Sequence, residues 1–446
     1  MAGPNNAFVP RLWEGRFQKA LVLENPDPIL DKELQALGIQ VERLAHTPDE
    51  DELVRILEKG NHNLIYKRSR VEITERVAAA SKSLAAVMLC CIGDDSVDKA
   101  ACANHGVLVL NDPVSNGRSV AEMVIGELII LSRRIFDSVY EMQESEWQKN
   151  NSQRYEVMGK RLGILGLGKI GRQVAQLAEA MGMEILFYDT GTVAQEVGEA
   201  MGWKSAESTE ELFRASDFVT VHVSAADTKG NLNENLITAS ALAAMGTRTS
   251  SPRIFLNLAR GLVVAPDVLK AAVKAGHVNY AITDVFPNEP GSSGAEWTNP
   301  YEGENRIFAT PHIGAATQEA QPRIARYMAR TTQLFSEMGM LRNCVFKPRA
   351  TIQFSESDAR SLLAVVHVDQ RGTKKAVDDA IYQAGANNLR SAHIDFPKVG
   401  IAYDLSALDR PLTDEQCAEL VNQANSITGT DNAIRWLRQI PVINGV

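Results

Sequence analysis

Short apolar runs alternate with helix-patterned stretches along most of this chain, and no other feature narrows its fold as much. Residues 21–23, 39–41, 64–66, 85–89 and 107–110 read as strands, separated by segments with apolar residues at 3.6-residue spacing. Such alternation predicts parallel sheets with helices on both faces. The run Thr47-Pro48-Asp49-Glu50-Asp51-Glu52 reads as a helix start, its acids placed at the positive end of the dipole. Residues 119–133 read as one long apolar helix; the alternation then restarts at Leu162 and continues to about Ile313. Two α/β units are therefore expected, the second inserted between the first and a returning helix at 318–338. Residues 347–358, broken by Pro348, read as a linker. The tail then reads strand 362–368, helix 374–383, strands 391–396 and 400–405, helix 413–427 and strand 433–440. That β-α-β-β-α-β order is the order of a small ferredoxin-like domain. The expected domains are 1–112 with 317–346, 113–316, and 360–446, which fits a length of 446 residues.

Composition excludes several classes of function. The formal charge of −9 argues against general binding to a phosphate backbone. No apolar run approaches bilayer length; residues 123–131 are the best candidate and carry Glu127. The opening MAGPNNAFVPRLWEGRF has no apolar signal core, so a cytoplasmic location is expected. Cys90, Cys91, Cys102, Cys344 and Cys417 are an odd set without CxxC spacing, so neither a disulfide framework nor a metal site is expected.

Gly166-Leu167-Gly168-Lys169-Ile170-Gly171 fits G-x-G-x-x-G, follows an apolar strand and opens a helix. The first glycine permits a tight turn, the second lets a pyrophosphate approach the helix N-terminus, and the third lets helix and strand pack closely. A second strand, 184–188, ends in Asp189, an acceptor for ribose hydroxyls whose charge would repel a 2′-phosphate. NAD is therefore expected as cofactor, rather than NADP.

Moving a hydride to or from a secondary alcohol also needs an acid/base, a group that tunes it, and a cation for the substrate. Of eight histidines, His46, His62 and His105 lie at polar loop positions and His277 beside Gly276. His222, His367 and His393 lie inside expected strands, and all seven read as surface or structurally satisfied residues. His312 differs. It follows strand 307–309 between Pro311 and Gly314, at a carboxyl strand end, where ligands bind in open α/β sheets. Strand 254–258 leads into Ala259-Arg260-Gly261, and strand 280–283 into Asp284-Val285-Phe286-Pro287-Asn288-Glu289. Three successive strand ends thus offer Arg, Asp/Glu and His.

These motifs, in this order, resemble the D-isomer-specific 2-hydroxyacid dehydrogenase family across about residues 20–345, and the tail more loosely. The resemblance implies two doubly wound (Rossmann- and flavodoxin-like) domains, the catalytic cleft between them, and a C-terminal regulatory domain of the ACT type. It implies that Arg260 binds the substrate carboxylate, that His312 is the acid/base and that Glu289 pairs with His312. Gly166, Gly168, Lys169, Ile170, Gly171, Asp189, Leu258, Ala259, Arg260, His312, Ile313, Gly314 and Ala315 match NAD-contacting segments, and Asp284 the residue that holds the nicotinamide carboxamide.

The same resemblance bears on the substrate. Arg68-Ser69-Arg70 after an apolar strand is similar to the segment that meets 3-phosphoglycerate in one branch of the family, and guanidinium groups suit a phosphate dianion. Ile92 and Gly93 match a segment whose amides receive the carboxylate; Ser115 and Asn116 are further substrate candidates. Lys149 matches a cation that in some relatives reaches a neighbouring subunit's site, so a homodimer or homotetramer is expected. A dehydrogenase for an unphosphorylated acid would leave Arg68–Arg70 without a task, and a non-catalytic NAD sensor would not need Arg260, Glu289 and His312 together. Two departures stand out: residues 245–253 read as a surface insertion, and Ser224 stands where relatives usually place proline. In the tail, Val368, Gln370 and Gly372-Thr373 replace the histidine, asparagine and Pro-Gly turn of the family's serine site, and only Asn387 matches. The tail is expected to fold and pair, but to bind serine weakly or not at all.

Overall fold

The computed structural model describes residues 11–227, 231–247, 251–290, 294, 296–346, 350–351 and 359–442. The chain forms two compact units, Met1–Pro113 with Gln321–Val446, and Val114–Ala320. No helix among the described residues is long and apolar enough to cross a membrane.

Strands β1 (Arg11–Glu14), β2 (Lys19–Val22), β3 (Gln40–Arg43), β4 (Leu64–Lys67), β5 (Ala86–Leu89) and β6 (Leu108–Asn111) lie in the first unit. Strands β2 to β6 pair in parallel in the order β3-β2-β4-β5-β6, the flavodoxin-like arrangement. Residues of β4 and β5 are wholly buried, as helices on both sheet faces require.

The second unit contains β7 (Arg161–Leu165), β8 (Glu184–Tyr188), β9 (Lys204–Ser205), β10 (Phe218–Val221), β11 (Ile254–Asn257), β12 (Tyr280–Thr283) and β13 (Ile307–Ala309). They form one parallel sheet in the order β13-β12-β11-β10-β7-β8-β9. The order reverses between β7 and β10, and the glycine turn sits at that switch point, where dinucleotides bind in this architecture.

Strands β14 (Arg342–Cys344) and β15 (Ala350–Thr351) follow in the first unit, then β16 (Ser361–Val368), β17 (Asn388–Phe396), β18 (Ile401–Leu408) and β19 (Ile434–Pro441). The tail sheet runs β1-β19-β16-β18-β17, antiparallel apart from β1. Helices Thr373–Gln383 and Asp414–Thr428 cover one face, which completes the ferredoxin-like order.

The other face of the tail sheet packs on the rest of the first unit. Leu405, Tyr403 and Trp436 share a core with Phe335, Met340 and Leu341 of the returning segment. Trp436 Nε1 donates to Gly106 O at 2.6 Å and Tyr403 Oη to Gly339 O at 2.6 Å. Fully buried Arg438 donates to Phe335 O and lays its guanidinium over the Phe17 ring at 4.1 Å.

The structure departs from the sequence reading in several places. Residues 11–14, read as part of the first domain without an element of their own, instead add a parallel strand to the tail sheet and cover its β19 edge. The Trp13 ring lies 5.5 Å from the Trp436 ring, tilted by 44°, a partner too distant in sequence to be inferred locally. Within the expected linker 347–358, residues 350–351 form β15 against β14; the remainder lies outside the described residues. The apolar helix runs Gly117–Ser132, two residues earlier than expected, and the returning helix Ala320–Met338. His62 keeps its loop position but is wholly buried, with Nε2 3.0 Å from Glu42 Oε2. His222 lies just past β10 instead of inside it, and burial pushes its pKa down to about 3. Of the expected insertion 245–253, residues 248–250 lie outside the described residues, while Ser251 is buried and donates to Asp217 at 2.6 Å.

Candidate active site

The second unit gathers the expected acid/base group at the carboxyl ends of β11, β12 and β13. Asn257, the last residue of β11, accepts Ala259 N through Oδ1 and donates to Arg260 O through Nδ2, both at 3.1 Å. This side-chain bracket shapes the turn that presents Arg260. Gly261 follows, and a Cβ there would fall 1.9 Å from the carbonyl carbon of Phe286. Only glycine lets the Arg260 turn lie against the β12 loop that carries Glu289.

Glu289 is held from both sides. Its Oε1 accepts Phe286 N at 3.1 Å, and its Oε2 lies 2.6 Å from His312 Nδ1. Burial works against its charge, yet the bond to His312 leaves the carboxyl below the usual range. His312 is correspondingly raised by that bond, against the cost of burial and the repulsion of Arg260. Its side chain remains 49% exposed, so the Nε2 side is open to a ligand.

His312 occupies the left-handed backbone region at φ +53°, a conformation that needs outside support. Asp284 supplies it. This almost wholly buried carboxylate accepts Thr310 Oγ1 at 2.6 Å, Ile313 N at 2.8 Å and Gly314 N at 2.7 Å, clasping the loop on either side of the histidine. Three acceptor positions are thereby used, leaving Oδ2 one more for a ligand amide. Burial raises the Asp284 pKa and these three bonds oppose it.

The glycine turn fits a dinucleotide. Gly166 has φ +93°, and a Cβ there would meet His222 O at 2.8 Å. A Cβ on Gly171 would meet Gly166 O at 2.2 Å, whereas one on Gly168 would meet nothing within 4 Å. The outer and inner glycines are thus demanded by packing, and the middle one opens the helix N-terminus to an anion. Gly168 and Lys169 are exposed there, and Ile170 is half-buried. Asp189 accepts Leu167 N at 2.8 Å and Gly191 N at 2.7 Å, which fixes its carboxylate at the end of β8. Leu258 and Ala259 are buried beneath the Arg260 turn, while Ile313 is 42% exposed beside His312. Ala315 is half-buried.

In the first unit, Arg68, Ser69 and Arg70 form the loop after β4. Arg68 N and Arg70 N donate to the Glu24 carboxylate at 3.0 Å, and Val71 N joins them. The loop is therefore wound round a buttress that the sequence reading missed, although an acid at the end of the first parallel strand was visible. Ser69 and Arg70 are exposed and Arg68 is half-buried. Lys67, the cation just before this loop, belongs to β4 and is wholly buried, bonded to Arg68 O at 2.9 Å and Ser96 Oγ at 2.7 Å. Burial lowers its pKa, so it adds little to the exposed positive charge. Ile92 and Gly93 lie in the loop after β5, shaped by Asn111 Nδ2 donating to Ile92 O at 2.8 Å and Cys91 Sγ to Gly93 O.

Ser115 and Asn116 begin the Gly117–Ser132 helix in the second unit; Asn116 Oδ1 is buried with no partner among the described residues. Lys149 is exposed on the polar segment after helix Ile135–Gln143 and is not brought to His312 by any described bond. Thr310, Asn257 and Gly261 act on the site only through neighbours, which explains why the sequence reading gave them no role.

Residues 125–314 match the family model of the D-isomer specific 2-hydroxyacid dehydrogenase NAD-binding domain. The chain is 32% identical over 426 residues to D-3-phosphoglycerate dehydrogenase of Escherichia coli, covering 95% of this chain and 96% of that one. It is 35% identical over 372 residues to D-3-phosphoglycerate dehydrogenase 2 of Saccharomyces cerevisiae, covering 81% and 76%. Among solved structures, a glyoxylate reductase from Paecilomyes thermophila shares the fold with a TM-score of 0.60 at 24% identity, covering 74% of this chain and 98% of that one. With such identities spanning most of its length, the chain belongs to the D-isomer specific 2-hydroxyacid dehydrogenase family and is an NAD-dependent oxidoreductase.

Proposed function

We propose that this chain catalyses the reversible oxidation of 3-phospho-D-glycerate to 3-phosphonooxypyruvate with NAD, the first step of phosphorylated L-serine synthesis. The observation that carries the choice of substrate is the Arg68-Ser69-Arg70 loop, which its Glu24 buttress holds as a pre-shaped cationic surface. Two guanidinium groups and a hydroxyl match a phosphate dianion, and an unphosphorylated acid would leave them unused. The similarity to named D-3-phosphoglycerate dehydrogenases supports the same reading.

The 166–171 turn with Lys169 and Ile170, together with Asp189, Leu258, Ala259 and residues 312–315, would hold NAD, which would supply the hydride acceptor. Asp284 offers its remaining acceptor position to the carboxamide. Arg260 pairs with the substrate carboxylate and carbonyl oxygen, helped by the amides of Ile92 and Gly93 and by Ser115 and Asn116. His312 takes the C2 hydroxyl proton on Nε2 during oxidation and returns it during reduction. Glu289, on the opposite ring nitrogen, favours the imidazolium and fixes its orientation. A second carboxylate can replace the phosphate at Arg68–Arg70, so 2-oxoglutarate reduction to 2-hydroxyglutarate is a side activity of this site.

The homo-oligomer is part of this reading. Helix Ile135–Gln143 has no buried residue, and Ile135, Val139, Tyr140 and Met142 are all substantially exposed, an apolar face that a second copy of the chain would cover. Lys149 follows this helix and would reach the other copy's substrate. A cytoplasmic location is supported by five cysteines that all remain free thiols. In the tail, Gln370 Nε2 is spent on Thr428 O and Thr373 Oγ1 on Gln370 O, which favours weak serine binding or none.

The test is NADH oxidation by the purified protein with 3-phosphohydroxypyruvate beside 2-oxoglutarate, hydroxypyruvate, glyoxylate and pyruvate. The expected result is the highest kcat/KM for the phosphorylated substrate, lost selectively in Arg68→Ala. Equal or better use of an unphosphorylated acid would overturn the substrate assignment.

A further inference from the structure

Three adjacent strands of the tail sheet bring two histidines and an aspartate onto one face. Asp404 on β18 stands opposite His393 on β17 and diagonally across from His367 on β16. Its Oδ2 lies 2.8 Å from His367 Nε2 and its Oδ1 2.8 Å from His393 Nδ1. His367 and Asp404 are buried, whereas the His393 side chain is 35% exposed. The three candidate ligand atoms lie within 4.8 Å of one another. The register between β16 and β19 also slips at Val366/His367, an irregularity of the kind that re-aims side chains near functional sites.

Hydrogen bonds fix the orientation of the His367 ring. His367 Nδ1 lies 2.7 Å from Val368 O, a pure acceptor, so that nitrogen carries a proton. The 2.8 Å contact between His367 Nε2 and Asp404 Oδ2 therefore holds one proton, on the nitrogen or on the oxygen. A metal ion can take the place of that proton. An imidazole whose Nδ1–H is committed to a backbone carbonyl, with Nε2 turned to a carboxylate, is the orientation that metal-ligating histidines adopt.

We propose that His367 Nε2, His393 Nδ1 and an Asp404 oxygen form a binding site for a divalent metal ion of the zinc class, with a fourth position open to water at the surface beside His393. Two imidazoles and one carboxylate are a donor set for Zn²⁺, Co²⁺ or Ni²⁺. Binding replaces the proton between His367 Nε2 and Asp404 by the metal and releases it to solvent, and a proton on His393 Nδ1 leaves that atom in the same way. The nearest opposing charge is Lys374 Nζ, 3.8 Å from Asp404 Oδ1, and it already pairs with Asp378 one helical turn on. Asp395 adds negative charge on the His393 side. Residue spacing gave no hint of a metal, because Asp404 is 11 residues from His393 and 37 from His367, and only strand register unites them.

The test uses the full chain, stripped with chelator and titrated calorimetrically with ZnCl₂ alone at neutral pH in two buffers of different ionisation heat. The expected result is saturable uptake of one zinc per chain with release of at least one proton. His393→Ala, a substitution at a partly exposed position, should weaken uptake at least tenfold while NADH oxidation is unchanged. Co²⁺ should give the visible absorption of a tetrahedral site in the wild type and lose it in Asp404→Asn; should that variant not fold, His393→Ala decides. Absence of saturable uptake, or equal affinity in wild type and His393→Ala, would overturn the site and leave the cluster as a hydrogen-bonded His–Asp–His group.

Discussion

Gly261 lies so close to Phe286 that a Cβ on it would overlap the carbonyl carbon at 1.9 Å. This contact presses the turn that bears Arg260 against the loop that bears Glu289, so the proposed catalytic geometry depends on a residue with no side chain. Gly261→Ala must push the two loops apart. Overpacking of this kind costs about 1–3 kcal/mol, and a displacement near 1 Å in a reacting group costs about 100-fold in rate. We expect kcat/KM to fall about 100-fold, with NADH affinity, measured by fluorescence titration, changed far less. Near-normal turnover in Gly261→Ala would show that the two loops move independently.

The pair of His312 and Glu289 sets a direction for the pH profile. In the proposed mechanism reduction needs protonated His312, whose pKa Glu289 raises, so kcat/KM for reduction should fall as pH rises through that elevated pKa. Oxidation needs the neutral ring and should show the opposite limb. Glu289→Gln removes the charge that raises His312, and both limbs should move to lower pH while neutral-pH reduction falls about 100-fold. Unmoved limbs in Glu289→Gln would show that His312 is not the group that titrates.

Glu24 touches no reacting atom, yet it gathers the N–H groups of Arg68, Arg70 and Val71. In Glu24→Gln one acceptor oxygen becomes a donor and the loop loses a charge-assisted bond. Such bonds contribute about 1.5–3 kcal/mol, so KM for 3-phosphohydroxypyruvate should rise about tenfold or more with kcat nearly kept. An unphosphorylated 2-oxo acid should be affected little. An equal rise for both substrates would mean that the loop does not read the phosphate.

Glu127, buried in helix Gly117–Ser132, has no partner for either oxygen among the described residues, and burial pushes its pKa up to about 8. The folded protein therefore keeps a proton that the unfolded chain releases above the usual glutamate pKa. Stability should decline as pH rises between about 4.5 and 8. Glu127→Gln removes this dependence, so its melting temperature should gain on the wild type across that window and hold the gain above it. A difference flat with pH would show that Glu127 does not take up this proton on folding.

Much of the site was legible because its signals are local. Gly166, Gly168 and Gly171 lie within one turn and the next helix, and Asp189 ends the following strand. Arg260, Glu289 and His312 each sit just past an apolar run, so the strand-end rule located them before their geometry was visible. The 2.6 Å contact between Glu289 and His312 is the expected pairing realised. The strands at 64–67, 184–188 and 280–283 were readable for a similar reason: they are short apolar runs between turn residues.

The amino-acid sequence alone determined the alternating α/β architecture, the glycine turn and the placement of Arg260, Glu289 and His312 just past strand ends, because periodicity and glycine placement act over a few neighbours. Tertiary structure decided what depends on partners far away in the chain. Strand β1 joined the tail sheet because β19 offered an open edge and Trp436 a ring for Trp13, though hundreds of residues intervene. Glu24 became a buttress only when the parallel pairing of β2 with β4 set it beside Arg68, 44 residues on. His367, His393 and Asp404 share a face only because cross-strand register aligns them. In each case the energy comes from burying or bonding groups that no local window contains, so it becomes available only once the sheets have formed.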